Sequence, residues 1–142
     1  MGTKPVLSFL VLICSHAVFV AALPDWVPPE VMDMIADDKA RCMGEHGTTQ
    51  AQIDEVAGGK LENNPSITCY MYCLLEAFSL VDDEANIDID MLMGILPENL
   101  VDKATTILNK CGSQATGADN CEKMFNLGKC VMEAAPELWF VA

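Results

Sequence analysis

Apolar positions recur at helical spacing along almost the whole of this chain. Val31, Met34, Ile35 and Cys42 share one face of a helix predicted over about Pro29 to Met43, opened by Pro28-Pro29-Glu30 and ended by Gly44 and Gly47. Thr48 or Thr49 is placed to cap a short helix over Gln50 to Ala57, stopped by Gly58-Gly59. Asn64-Pro65 opens a third helix, from about Ser66 to Val81. Its centre, Cys69 to Leu80, is apolar all round except Glu76 and Ser79, which suits a helix in the middle of a domain. The acidic stretch Asp82 to Asp90 reads as a solvated connection, and a short helix over Ile89 to Leu96 ends at Pro97. Leu100, Val101, Ala104, Ile107, Leu108 and Cys111 then follow the stripe of an amphipathic helix. After a turn from Gly112 to Gly117, Asp119 caps the last helix, with Glu122 as its capping-box partner. Met124, Phe125, Gly128, Val131, Met132 and Ala135 line one face of it, and Pro136 stops it. No segment reads convincingly as a strand. The expected fold class is all-α, with about six helices.

The first residues follow a different pattern. Lys4 precedes an apolar run, Val6 to Val20, broken only by Ser8, Ser15 and His16. Val20 and Ala22 then stand at the -3 and -1 positions of a small-residue cleavage site. This is the form of a secretory signal peptide, so residues 1–22 are expected to be a leader and 23–142 a single binding domain. The run is shorter than the roughly 20 residues a bilayer span needs, and Pro24, Pro28 and Pro29 follow it at once. No other segment is apolar for long enough to span a membrane, so the expected location is secreted and extracellular.

Removing 22 of the 142 residues leaves 120. Lys4 leaves with them, taking the formal net charge from -13 to -14, and Cys14 leaves too, turning seven cysteines into six. Such an acidic chain has no basic patch to displace counterions from phosphates, so nucleic acid is excluded as a partner. The remaining cysteines, in an oxidising compartment, point to three disulfides. A zinc site fits poorly: there is no C-x2-C knuckle and His46 is the one remaining histidine. No metal and no cofactor are expected. His46, in a Gly-rich turn, suits a solvated side chain, and a serine nucleophile has no evident base, so no catalytic residue is assigned and the chain is read as not an enzyme. The Asp82 to Asp90 run lacks the central glycine and closing glutamate of an EF-hand, having Ile87 and Met93 there.

The cysteines Cys42, Cys69, Cys73, Cys111, Cys121 and Cys130 are spaced C-x26-C-x3-C-x37-C-x9-C-x8-C. Cys69 and Cys73 share one helix face, so each must reach a different segment. Cys121 and Cys130 point to opposite sides of the last helix, which is then tied to two neighbours. Fifteen connectivities remain open on arithmetic alone. The pattern, in an all-helical secreted chain, resembles the insect odorant-binding protein family, of the pheromone-binding and general odorant-binding type, over the whole of 23–142. That resemblance implies the pairing Cys42–Cys73, Cys69–Cys121 and Cys111–Cys130. It also implies a carrier of small apolar semiochemicals, working in sensory lymph and delivering to receptors or other proteins of a sensory neuron membrane.

Flexible and aromatic side chains supply the candidate ligand contacts. They are Met34 and Ile35 on the first helix, Met71, Leu75, Phe78 and Leu80 on the third, Leu92, Ile95 and Leu96 before Pro97, and Met132 near the end. Tyr70, Ser79 or a tail amide is expected to orient a polar group of the ligand. The tail Leu138-Trp139-Phe140-Val141 would be costly to leave in water, at roughly 1.5–3 kcal/mol for each large apolar side chain, and should fold back on the body. The resemblance places Trp139, Phe140 and Val141 in the cavity wall, with Trp26 closing another side. A monomer or weak dimer is expected. The rival class is a secreted interaction protein, or a general carrier of hydrophobic ligands outside olfaction.

Overall fold

A computed structural model describes residues 23–142; the expected leader, 1–22, lies outside the described residues. The order of elements is α1 (Pro29–His46), α2 (Gln50–Ala57), α3 (Pro65–Ala77), α4 (Ile89–Ile95), α5 (Glu98–Gly112) and α6 (Asn120–Ala134), followed by a 3-10 turn over Pro136–Leu138. Among the described residues there is no strand, only one isolated antiparallel bridge between Val81 and Ile87. No described helix is long and apolar enough to cross a membrane.

Capping chemistry sets most helix starts. Thr49 and Gln52 form a reciprocal capping box on α2. Asn64 caps α3, Asp88 caps α4 and Asp119 caps α6. The expected box at α6 is redirected: Asp119 accepts from the Glu122 amide, but the Glu122 carboxylate reaches the amide of Ala118.

Two helix ends differ from the sequence reading. Gly44 does not stop α1; the helix continues to His46 and ends where Gly47 turns left-handed at φ 64°. His46 therefore closes a helix rather than sitting in a turn. The third helix ends at Ala77, four residues before the expected Val81. Ser79 adopts φ 56°, the Ser79 amide donates to the Glu76 carbonyl, and the Leu80 amide donates to the Leu75 carbonyl. This is a Schellman ending with serine where glycine is usual. It buries Leu80, which a continued helix would have aimed elsewhere.

The acidic stretch is a built loop, not a free solvated connection. The Asp82 carboxylate accepts from the amides of Glu84 and Asn86 and from the Asn86 side chain. Those hydrogen bonds hold it below the usual carboxylate range, with the positive charge of Lys123 adding a smaller pull. Lys123 also donates to the Glu84 carbonyl and Asn120 to that of Asp83, docking the loop on α6. Val81 and Ala85 are buried by it.

The three disulfides are Cys42–Cys73, Cys69–Cys121 and Cys111–Cys130. They join α1 to α3, α3 to α6, and α6 to α5. The heaviest packing follows the same lines: α3 lies against α1 and α6, and α5 against α6. Buried residues form two clusters rather than one. One gathers Cys42, Ile53, Val56, Ile67, Tyr70, Met71 and Cys73 around α1, α2 and α3. The other gathers Val81, Ala85, Cys111, Met124, Leu127 and Cys130 around the loop, α5 and α6. Replacing both Cys69 and Cys121 by serine is expected to lower unfolding free energy by about 2–4 kcal/mol. Urea unfolding monitored by circular dichroism measures this.

Candidate binding cavity

A cavity of about 450 Å³ lies between the helices, within the range of small-molecule sites. Residues of both packed clusters reach it, Met71 from one and Met124 and Leu127 from the other. The α1 wall is Val31, Met34 and Ile35; the α3 wall is Met71, Leu74, Leu75 and Phe78. Leu80 and Ile87 enter from the two ends of the loop, and Met91, Leu92, Ile95 and Leu96 from α4 and its end. Ala104, Ile107 and Leu108 of α5 and Met124, Leu127, Gly128 and Val131 of α6 complete the floor. Trp26, Val27 and Pro28 ahead of α1, and Leu138 to Ala142, close the remaining side.

Thirteen of the fifteen sequence candidates line this one space: Trp26, Met34, Ile35, Met71, Leu75, Phe78, Leu80, Leu92, Ile95, Leu96, Trp139, Phe140 and Val141. Tyr70 and Met132 do not. Tyr70 is fully buried in the α1–α3 cluster, and its hydroxyl donates to the Ala142 carbonyl. Met132 is half-buried on α6 and its sulfur lies toward Gly59, away from the cavity lining. Ser79, the other expected polar contact, is exposed and outside the lining. The residues missed include every lining residue of α5 and α6. Their helical stripes were legible, but a stripe marks an inward face without telling whether it meets another side chain or open space.

The tail is fastened by specific groups. Trp139 Nε1 donates to the Val56 carbonyl at 2.8 Å, and Trp26 Nε1 donates to the Glu137 carbonyl at 3.0 Å. The rings of Trp26 and Phe140 meet edge to face, centroids 5.9 Å apart. Glu137 also pairs with Lys103 of α5, an exposed contact worth little by itself. Gly128 is what lets the tail approach α6. A Cβ there would stand 3.1 Å from the Trp139 ring, 3.1 Å from Met71 and 3.2 Å from Leu61.

Glu45, His46 and Cys73 come close enough together to suggest a metal ligand set. The Cys73 sulfur is bonded to Cys42, so it has no thiolate to offer, and the remaining pair falls short of the usual three or four ligands. Glu45 instead pairs with Arg41, which also pairs with Asp38.

A family model described as the PBP/GOBP family matches residues 25–134. General odorant-binding protein 69a of Drosophila melanogaster is 26% identical over 105 residues, covering 73% of this chain and 70% of that protein. Among solved structures, odorant-binding protein 7 of Anopheles gambiae, with four disulfide bridges and in complex with an azo compound, superposes with a TM-score of 0.70. It is 23% identical and covers 79% of this chain and 91% of its own. Odorant-binding protein 4 of Chrysopa pallens gives 0.67 at 25% identity, covering 82% and 99%.

Burial pushes the Tyr70 phenol well above its usual pKa, so it stays a neutral donor to the tail. Its contribution is fully present below about pH 10, where tyrosine in the unfolded chain begins to ionise, and is lost progressively above that. Tyr70→Phe should therefore reduce stability by about 1 kcal/mol at neutral pH. The gap between wild type and variant should narrow above about pH 10. Denaturant titrations at neutral and alkaline pH check it; a gap that stays constant would contradict this role.

Proposed function

The chain belongs to the PBP/GOBP family, and on that premise we propose that it is a carrier of small apolar odorants, held in the cavity between its helices. The observation that carries the reading is the cavity itself: a largely apolar space, walled by four stapled helices and α4 and closed on one side by the chain's own tail. Apolar burial supplies the affinity, and the methionines Met34, Met71, Met91 and Met124 let the wall adapt to shape.

The thirteen lining candidates and the α5 and α6 residues beside them are the proposed ligand contacts. Release of the leader after Ala22, passage through sensory lymph and delivery to receptors or other proteins at a sensory neuron membrane extend the same reading. The form of residues 1–22, the acidic balance and the disulfide framework support it. The family is one of binding proteins, and no catalytic step is proposed.

The test is uptake of N-phenyl-1-naphthylamine, followed by its fluorescence. One saturable, displaceable site per chain is expected, and absence of saturable uptake would overturn the carrier reading. Truncation after Leu138 removes four cavity-lining residues of the wall, Trp139, Phe140, Val141 and Ala142. It should weaken probe binding by about tenfold or more while leaving the helical circular dichroism intact. Unchanged affinity would show that the tail is not part of the wall.

A further inference from the structure

Of the nine methionines, eight lie among the described residues, and the fold treats them in three ways. Met71 and Met124 line the cavity but are closed off from water, 8% and 1% exposed. Met32, Met43, Met93 and Met132 are half-buried and stand outside the lining. Met34 and Met91 combine the two remaining properties. Each lines the cavity, and each is open to water, 68% and 48% exposed.

A thioether is the softest nucleophile these residues leave free. All six cysteines after residue 22 are joined in disulfides, so no thiol among them competes for an oxidant. Hydrogen peroxide reacts with an exposed thioether in one step. A sulfur lone pair attacks one peroxide oxygen, the O–O bond breaks and an S–O bond forms. The other oxygen takes up the proton released and leaves as water. Sulfur loses two electrons and the peroxide gains them. The product, methionine sulfoxide, is polar, and methionine sulfoxide reductases, one for each epimer, return it to methionine.

Position decides what the sulfoxide does. Met34 on α1 and Met91 on α4 already stand largely in water, so a new oxygen there is hydrated and the helices keep their packing. Apolar cargo that packs against these two side chains must strip that water away. The unmodified thioether holds little water to lose and adapts its shape to the cargo.

We propose that Met34 and Met91 are sites of reversible peroxide oxidation, and that their sulfoxides weaken the cavity's hold on apolar cargo without unfolding the domain. The order of oxidation is independent of the carrier reading; the loss of affinity rests on it.

The experiment treats the protein, disulfides intact, with hydrogen peroxide and stops the reaction with catalase. Peptide mass mapping should find one added oxygen on Met34 and on Met91 at least about tenfold sooner than on Met71 or Met124. Binding of N-phenyl-1-naphthylamine by the same samples should weaken by about threefold to tenfold as Met34 and Met91 are oxidised. The helical circular dichroism should not change, and reductases of both epimer specificities should restore the affinity. In the double variant Met34→Leu, Met91→Leu, peroxide should leave the variant's own untreated affinity in place. Met71 or Met124 oxidised as fast as Met34 and Met91 overturns the proposal. So does full oxidation of both with no change in affinity, or a double variant that loses affinity as the wild type does. If the untreated protein shows no saturable uptake, the carrier reading fails and the affinity effect falls with it, while the mapping still decides the order of oxidation.

Discussion

The covalent frame is the constraint on which the rest of this structure depends. Cys69 and Cys73 tie α3 to both α6 and α1, and Cys121 and Cys130 tie α6 to both α3 and α5. Four helices are thereby joined into one object, with the cross-links spanning 31, 52 and 19 residues. A cross-link restricts the unfolded chain whatever the packing of the folded one. A domain of this size that keeps an internal space gives up dispersion contacts a filled core would make. The frame offsets that loss, so two separate packed clusters can coexist with a cavity that both of them line.

The same frame explains where the wall is weakest. Between Cys73 and Cys111 the chain has no cysteine, and α4 lies in that gap. It packs chiefly on α5, buries none of its residues, and makes no side-chain hydrogen bond to another helix. Local opening is least costly where few apolar contacts and no cross-links must be broken. The tail is the opposite case. Its position is fixed by Trp139 to Val56, Trp26 to Glu137 and Tyr70 to Ala142, three donors from three different parts of the fold. Of the two segments that complete the wall, the tail is held by direction-specific bonds and α4 by little more than apolar contact.

Much of this was legible in the sequence because it depends on short-range rules. Helical stripes, proline starts and capping residues placed all six helices, and the tail's apolar content required it to fold back. What escaped depends on single backbone choices or on what lies opposite. The end of α3 turns on Ser79 in a left-handed conformation, which serine does not advertise as glycine would. The loop after it looked like a solvated charge run, yet Asp82 organises it by accepting from its neighbours' amides, so that Ala85 is buried. Tyr70 was read as a ligand contact because a phenol on a central helix has an obvious use. The structure gives that hydroxyl to Ala142.

That reassignment bears on how the tail is held. A buried polar side chain must be satisfied, either by the protein or by what the protein binds. Here Tyr70, Trp26 and Trp139 are all satisfied by backbone carbonyls, two of those carbonyls belonging to the closing segment itself. Three side-chain donors are thus used to hold the closing segment in place. Gly128 belongs to the same economy of space, since a Cβ there would crowd Trp139, Met71 and Leu61 at 3.1–3.2 Å and make them give by a few tenths of an ångström.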